Sequence, residues 1–223
     1  FVGAVFLGVN LGPGPSVQEA IRLTALIGIL YVPLVALLAG YLAIAGEREA
    51  GTIRFLLGYP LKRSEIVLGK AVTRIGVVVA AICVAFFVGG VVAVISSDTP
   101  NILQIALFTV TTALFAGAYV GMAIGVSAAT SSRSRAMSGT IGMYFVFTLL
   151  WSQFSPVTVP GLVASAADSL LGIDLSGPIW RVFQTLSPSE AYVWSLQLLP
   201  GETFEISSAP VGGVGIVAIL LGW

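Results

Sequence analysis

The sequence contains no histidine and only one cysteine, and these shortages exclude several classes of protein. Without an imidazole the chain cannot be a Ser/His intramembrane protease or a zinc peptidase of the HExxH kind, and a His/Cys site for a transition metal is not expected. A single cysteine cannot form a disulfide framework. Because Cys83 stands in an apolar run, we expect it to behave as a small buried hydrophobic residue.

Charge is scarce as well. Only 9% of the 223 residues are charged, 57% are hydrophobic, and the mean hydropathy is +1.02. Since soluble domains carry about 25% charged residues, this composition predicts a polytopic membrane protein, an all-α bundle of transmembrane helices. The net charge is zero, which argues against a nucleic-acid partner because phosphate binding requires clustered lysine and arginine.

Apolar runs long enough to cross a bilayer, which takes about 20 residues, divide the chain. Four whole spans are predicted: Ile21–Ala45, Ala71–Ile95, Ile102–Thr130 and Ala136–Phe154. Two shorter runs, Phe1–Val9 and Pro210–Trp223, are interpreted as parts of two further spans, with both chain ends expected to cut through helices. We therefore expect six spans in the native protein and one membrane domain over residues 1–223.

The distribution of charge predicts the orientation. Residues 46–74 hold six of the ten basic residues, and the short turn 131–135 adds Arg133 and Arg135. The alternate connections are acidic: residues 96–101 hold only Asp98, and residues 152–208 hold five acidic residues against one arginine. Because basic loops remain in the cytoplasm, residues 46–74 are predicted to be cytoplasmic.

Small residues and one proline mark the predicted spans. Gly117, Gly121 and Gly125 recur every four residues and therefore share a helix face, a pattern that permits close helix–helix approach in lipid. That face serves either packing within the subunit or a dimer contact. Pro33, inside the first whole span, either kinks its helix or helps to line a cavity.

The acidic segment 152–208 is itself partly apolar. Its stretches Val157–Leu171, Ile179–Leu186 and Ala191–Leu199 are too short to cross a membrane and are separated by prolines. We expect short helices that lie on or dip into the outer leaflet. The aromatic residues predicted to lie at the membrane interface are Trp151, Trp180, Tyr192 and Trp194.

The basic loop contains signals for a short amphipathic helix. Gly51 and Thr52 are predicted to start it, with Thr52 as the N-cap. Ile53, Leu56 and Leu57 then form one apolar face, at i, i+3 and i+4. Gly58 suits the C-terminal end and Pro60 prevents continuation of the helix.

A second helix is predicted to follow at once. Ser64 supplies a capping hydroxyl and Glu65 a carboxylate in the first turn, and this helix continues through Lys70 into the next span. The loop would then place a short amphipathic helix crosswise beneath the membrane, between two spanning helices.

This loop resembles the permease subunits of ABC-2 type ABC transporters, which share the pattern E-x-E-x-G-T-x-x-x-L-L-x-x-P-x-x-R-x-x-I-x-x-G-K. The matching positions are Glu47, Glu49, Gly51, Thr52, Leu56, Leu57, Pro60, Arg63, Ile66, Gly69 and Lys70. The copper-enzyme maturation and multidrug-export branches look most similar. In this family the short helix is a coupling helix that sits in a cleft of the ATP-hydrolysing subunit.

The resemblance implies an ATPase-docking site, which comprises Glu47, Glu49, Gly51, Thr52, Ile53, Leu56, Leu57, Pro60, Arg63, Gly69 and Lys70. Arg133 and Arg135 either make a second contact with the ATPase or only anchor their turn on the cytoplasmic side.

The resemblance also implies a transport subunit of an exporter rather than an enzyme. The sequence has no GxxxxGK[ST] loop, so this chain is expected to bind no cofactor, and ATP and Mg²⁺ would be bound by a separate ABC ATPase subunit. The further partners implied are a second permease copy, in a homodimer or pseudo-dimer, and membrane lipid. The expected location is the plasma membrane of a prokaryote.

Two other functions are weighed against this one. An ion-coupled secondary transporter or channel would need ionisable groups along its path, and the predicted whole spans hold few beyond Arg22 and Arg74 near their ends. An aspartyl intramembrane protease would need two acids within spans, whereas Asp98, Asp168 and Asp174 all fall in the predicted outer loops.

Overall fold

The architecture comes from a computed structural model that describes residues 17–51, 62–96, 101–151, 158–173, 175, 177–197, 199 and 213–223. The regular elements of these residues are all helical. In chain order they are α1 (Val17–Gly40), α2 (Ala45–Glu49), α3 (Arg63–Ser96), α4 (Ile102–Ala129), α5 (Arg133–Tyr144), a π-helical turn (Phe145–Leu150), α6 (Val159–Leu171), α7 (Pro178–Gln184), α8 (Pro188–Leu196) and α9 (Gly213–Gly222).

Three described helical segments are long and apolar enough to cross a membrane: Glu19–Glu49, Ser64–Ile95 and Ile102–Ala129. They confirm the first three predicted spans. The first segment is interrupted by a turn at residues 41–44 between α1 and α2, and α1 itself continues as a helix through Pro33.

The fourth predicted span is not among the membrane-length helices of the described residues, although a helix covers part of it. Its helix, α5, begins at Arg133 and passes into the π-helical turn that ends at Leu150; residues 152–154 lie outside the described residues. The Ser132 hydroxyl accepts a hydrogen bond from the Arg135 N–H at 3.4 Å and so caps α5. Arg133 and Arg135 therefore lie in a first helical turn rather than in a loop.

Helix α4 is the centre of the bundle, because α1, α3, α5, α8 and α9 all pack against it. Its side chains Phe115, Tyr119 and Ala123 are fully buried. Gly40 brings α1 close to α4, since a Cβ atom there would lie 2.7 Å from the Cβ of Ala123. In lipid, where no hydrophobic effect drives helices together, such close contacts between small residues hold helices together.

The glycine face of α4 packs within the subunit at two of its three positions. A Cβ at Gly117 would lie 3.8 Å from Ile75 of α3, and one at Gly121 would lie 3.1 Å from the carbonyl oxygen of Trp223, just after α9. An added Cβ at Gly125 would meet no described atom within 4 Å. Of the two alternatives for this face, packing within the subunit therefore holds for Gly117 and Gly121.

The prediction for Cys83 was wrong, because its side chain is exposed. The prediction treated a residue within an apolar run as one whose side chain is buried inside the protein. A helix that faces lipid is apolar on its outside as well, so an apolar run does not specify which side chains are buried.

The short helices of residues 152–208 are confirmed, but α8 lies deeper than predicted. The Ser189 hydroxyl is 2.7 Å from that of Tyr119, which lies ten residues before the end of α4 and hence about 15 Å from that end. The connection from α7 to α8 thus re-enters the bundle. Its buried polar groups find partners inside the protein, as when the Ser187 hydroxyl donates to the Phe147 carbonyl at 2.9 Å.

This re-entry corrects the prediction of interfacial aromatic residues. Tyr192 is fully buried, Trp194 is 7% exposed and Trp151 is 9% exposed. The Tyr192 ring stacks on Phe115 of α4 with the ring centroids 4.3 Å apart. Tyr192 and Trp194 are core residues because α8 is packed between other helices, and Trp151 packs against Phe147, whereas Trp180 of α7 is only half-buried.

Candidate functional site at the charged end

Residues 45–51, 62–70 and 130–135 meet at one end of the bundle, which we call the charged end. Helix α2 provides the first group, the start of α3 the second, and the connection from α4 into α5 the third. Helix α2 packs against α5. Most of the described basic and acidic residues of the predicted cytoplasmic side therefore lie on three adjoining segments.

Helix α2 is held in place by a side chain from another helix. The Ser127 hydroxyl of α4 accepts hydrogen bonds from the backbone N–H groups of Ile44 and Ala45, at 3.0 and 2.9 Å. These N–H groups belong to the first turn of α2, where helical donors have no partner within their own helix. Ser127 is fully buried, so the start of α2 is fixed to the end of α4.

Gly51 ends α2 with a left-handed backbone. Its φ is +74°, and its N–H donates to the Arg48 carbonyl at 3.2 Å. A Cβ at this position would meet nothing within 4 Å, so the backbone conformation, not space, favours glycine here. The sequence interpretation had Gly51 starting the next helix, whereas the structure places it after the end of the preceding one.

An ion pair joins the two sides of the loop. Lys70 Nζ lies 2.5 Å from Glu47 Oε1, and both side chains are partly exposed, at 22% and 35%. Glu47 belongs to α2 and Lys70 to α3, so the pair connects the helix before residues 52–61 with the helix after them. At the start of α3, Glu65 Oε2 accepts a hydrogen bond from the Lys62 N–H at 2.9 Å.

Glu49 and Arg48 attach α2 to the third segment. The Arg133 N–H donates to Glu49 Oε2 at 2.7 Å, which places a carboxylate at the N-terminus of α5, where the helix dipole favours negative charge. Arg133 Nε is 3.9 Å from Glu49 Oε1. Arg48 Nη1 donates to the Thr130 carbonyl, which follows α4, at 3.0 Å. Helix α2 is therefore attached by side chains to α3, α4 and α5.

Residues 12–198 match the family described as ABC-2 family transporter protein. The chain belongs to this family. This ABC-2 chain is also similar to two proteins named "Probable ABC transporter permease protein NosY": it is 29% identical to the one from Stutzerimonas stutzeri over 184 residues and 33% identical to the one from Pseudomonas aeruginosa over 142 residues.

The alignments cover 73% and 61% of this ABC-2 chain, but only 65% and 51% of the two relatives. The chain thus matches less than two thirds of the length of each relative. The family match confirms the resemblance stated from the loop, and it identifies the chain as a membrane subunit of the ABC transporter class.

Two contacts join predicted site residues: Glu47 pairs with Lys70, and Glu49 binds Arg133, while Gly51 lies directly after α2. Part of the predicted site lies outside the described residues, namely Thr52, Ile53, Leu56, Leu57 and Pro60, together with the whole predicted coupling helix. The side chain of Arg63 is also outside them, although its backbone begins α3.

Three further residues of the sequence analysis lie in α3 or at the start of α5, and the docking role of Arg135 and Gly69 stays a prediction. Arg135 Nε donates to the Ser132 hydroxyl at 3.3 Å, within its own helix start. Gly69 lies inside α3, where an added Cβ would meet no described atom within 4 Å. Ser64 lies within the first turn of α3 rather than at its N-cap, because that helix begins at Arg63.

Sequence reasoning missed Ser127 and Thr130. Ser127 is one hydroxyl within an apolar span, and nothing local distinguishes it from a serine bonded to its own helix. Ser127 and α2 are more than 80 positions apart in the chain. Sequence patterns relate residues at short spacing, so none of them predicts this contact. Among the described residues, no cluster of three or more His, Cys, Asp or Glu side chains could hold a metal ion.

Proposed function

We propose that this chain is the membrane-spanning subunit of an ATP-driven ABC exporter, and that residues 52–61 take up the motion of a separate ATPase subunit. The charged end would face the cytoplasm, as the basic residues indicate. The protein would lie in the plasma membrane of a prokaryote, with a second permease copy completing the transport pathway. ATP and Mg²⁺ would bind only to the ATPase.

The observation that carries this proposal is the ion pair between Glu47 and Lys70, together with the hydrogen bond from the Arg133 N–H to Glu49. A segment that transmits force must be firmly attached at both ends. Residues 52–61 leave α2 and enter α3, and the ion pair connects these two helices directly. The Glu49 contact extends the attachment to α5, so displacement of one segment would move three helices together.

This arrangement suggests a division of roles among the predicted site residues. Glu47, Glu49 and Lys70 make contacts within the chain, so their role would be to position the loop. The apolar residues Leu56 and Leu57 are the ones proposed to enter the cleft of the ATPase, since an apolar face flanked by charge is what a helix-binding groove recognises.

Variants can separate the two roles when the full-length permease is reconstituted with its ATPase subunit. Leu57→Asp should abolish co-purification of the ATPase. Glu47→Gln should leave co-purification intact and lower permease-stimulated ATP hydrolysis. Asp168→Asn, which alters an exposed carboxylate on α6, is the control and should change neither. If Leu57→Asp retains both ATPase binding and stimulation, the docking assignment is wrong.

The proposed orientation is tested at Lys62, an exposed residue at the start of α3. A Lys62→Cys variant in a Cys83→Ser background should react with a membrane-impermeant maleimide only in inside-out vesicles. Labelling in intact cells would reverse the orientation and place the loop out of reach of a cytoplasmic ATPase.

A proton-coupled transporter is the second candidate, because one observation favours it. Glu190 was predicted to lie in an outer loop, but it is only 9% exposed and lies in the first turn of the buried helix α8. Ionisable groups at such depth commonly mark ion pathways. A Glu190→Gln variant that folds and retains ATP-dependent transport would exclude this alternative; loss of pH-gradient-driven transport would support it.

A further inference from the structure

Arg74 lies on the face of α3 that lines an open cleft. The cleft separates α1 from α3, has a volume of about 710 Å³, and is lined on α3 by residues that include Val78, Ala81 and Ala85. Arg74 stands four, seven and eleven positions before these three residues, and such spacings place side chains on one helix face. Because α3 begins at the charged end, Arg74 lies where the cleft approaches that end.

Arg74 has no partner among the residues that the structure describes. Its side chain is exposed, and no ion pair or side-chain hydrogen bond within the described part of the chain involves it. Lys70, one turn earlier on the same face, is instead paired with Glu47 of α2. Arg74 belongs to a segment that is apolar enough to cross a membrane. A cation in such a segment pairs with an anion or extends to the interface, because an unpaired charge in hydrocarbon is costly.

The walls of the cleft beyond Arg74 are apolar and open to the side. On α1 the lining extends from Thr24 to Ala39, a rise of about 22 Å at 1.5 Å per residue. Val35 of α1 is 56% exposed and Val77 of α3 is 64% exposed, so the cleft opens towards the surrounding bilayer. The described lining residues carry no charge. A ligand that matches this surface therefore has a long hydrocarbon part and an anionic group at one end.

We propose that Arg74 binds the phosphate group of an anionic phospholipid from the leaflet at the charged end, with an acyl chain of that lipid along the cleft. A guanidinium group can donate two parallel hydrogen bonds to a phosphate. The methylene stem of Arg74 lets this group extend back towards Lys70, about 6 Å along the helix axis, where the ion pair with Glu47 marks the level of the charged groups. Binding needs no ATPase, so this inference goes beyond the proposed function and can fail or hold without it.

Native mass spectrometry of the full-length permease, released from detergent micelles, tests the proposal. The probe is dipalmitoyl phosphatidylglycerol. Dipalmitoylglycerol has the same chains without a phosphate, and we expect the permease to retain much less of it. Arg74→Gln should raise the dissociation constant for phosphatidylglycerol about 10- to 100-fold, as expected for a lost hydrogen bond to a charged group. Arg74→Lys should give an intermediate value, because lysine keeps the charge without the paired hydrogen bonds.

Two control variants distinguish a site from general attraction to lipid. Lys62→Gln removes an exposed positive charge about three turns from Arg74 and should leave the dissociation constant unchanged. Ala81→Trp would fill the cleft and weaken binding with Arg74 still in place, whereas Val84→Trp, at an exposed position of α3 outside the cleft, should not.

Equal retention of the two lipids would overturn the proposal, as would equal losses in Arg74→Gln and Lys62→Gln or equal binding by the two tryptophan variants. Undiminished phosphatidylglycerol binding by Arg74→Gln would overturn it too. That result is expected if an acidic side chain of a second copy, or of a segment outside the described residues, already neutralises Arg74.

Discussion

Lys70 Nζ lies 2.5 Å from Glu47 Oε1, so the helices on either side of residues 52–61 are joined by an ion pair between positions 23 apart in the chain. The pair belongs to the charged end, where α2 also contacts α4 and α5. Helices α2 and α3 are therefore expected to move together.

Exchanging the charges of Glu47 and Lys70 tests whether permease-stimulated ATP hydrolysis depends on the attraction between the two side chains. Glu47→Lys and Lys70→Glu should each lower permease-stimulated ATP hydrolysis, because each places two like charges together, and the double variant should restore most of the activity. The effect on the free energy of unfolding should be small, about 1 kcal/mol or less for a partly exposed pair. A double variant no more active than either single variant would show that the two residues act separately.

Glu49→Gln should weaken the start of α5. The carboxylate accepts the Arg133 N–H at 2.7 Å, and its charge at a helix N-terminus contributes about 0.3–1 kcal/mol to the free energy of unfolding at low salt. The loss should diminish as salt is raised, because the interaction is exposed and is screened. Urea unfolding of the permease in mild detergent at two salt concentrations measures it, with Asp168→Asn as the control; a loss independent of salt would contradict the charge argument.

Alanine substitutions at two glycines of the loop motif should have opposite effects. Gly51→Ala should destabilise the protein by about 1 kcal/mol, because φ is +74° there and L-residues are strained in that region. Gly69→Ala should stabilise it by about 0.5–1 kcal/mol, since Gly69 lies inside α3 with free space around it. Thermal unfolding of the two variants side by side measures the difference, and shifts of the same sign would refute the backbone argument.

Ser127→Ala should release α2 from α4. Two buried N–H groups, those of Ile44 and Ala45, would lose their acceptor, at a cost of roughly 1–3 kcal/mol for each. Hydrogen exchange over residues 44–51 should accelerate, and ATPase stimulation should fall with it. Ser165→Ala, on the exposed face of α6, is the matched control; unchanged exchange at residues 44–51 would mean that the hydroxyl is dispensable.

Tyr119→Phe should loosen the re-entrant connection. The Tyr119 hydroxyl lies 2.7 Å from that of Ser189 and 3.0 Å from that of Thr148, so its removal leaves buried hydroxyls with fewer partners. We expect a loss of about 1–3 kcal/mol and faster hydrogen exchange in α8. The control is Tyr41→Phe, at the half-buried turn before α2, and equal exchange in the two variants would contradict the role of the bridge.

The spanning helices and the family were predictable because their signals are local. Runs of apolar residues define Ser64–Ile95 and Ile102–Ala129 without reference to the rest of the chain. The loop motif is likewise a set of residues at fixed short spacing, and the family match over residues 12–198 confirms it. The charged residues of the motif do contact one another, with Glu49 bound to the backbone and close to the side chain of Arg133, but their role in docking stays a prediction.

The positions of individual side chains were less predictable. Cys83 was expected inside and is exposed, whereas Tyr192 and Trp194 were expected at the membrane interface and are buried. In a soluble protein hydrophobicity separates inside from outside, but a helix in lipid is apolar on both sides. The period of the apolar residues therefore contains little information about burial.

The sequence by itself determined that this protein crosses a membrane in helices, that its basic residues gather in one loop, and that it is an ABC-2 chain, because length, hydropathy and short-range spacing are properties of local segments. Only the tertiary structure decided that Ser127 fixes α2, that Glu47 pairs with Lys70, and that α8 folds back into the bundle. These contacts join residues from separate helices, and a linear pattern does not specify how helices of similar composition rotate and pack against one another.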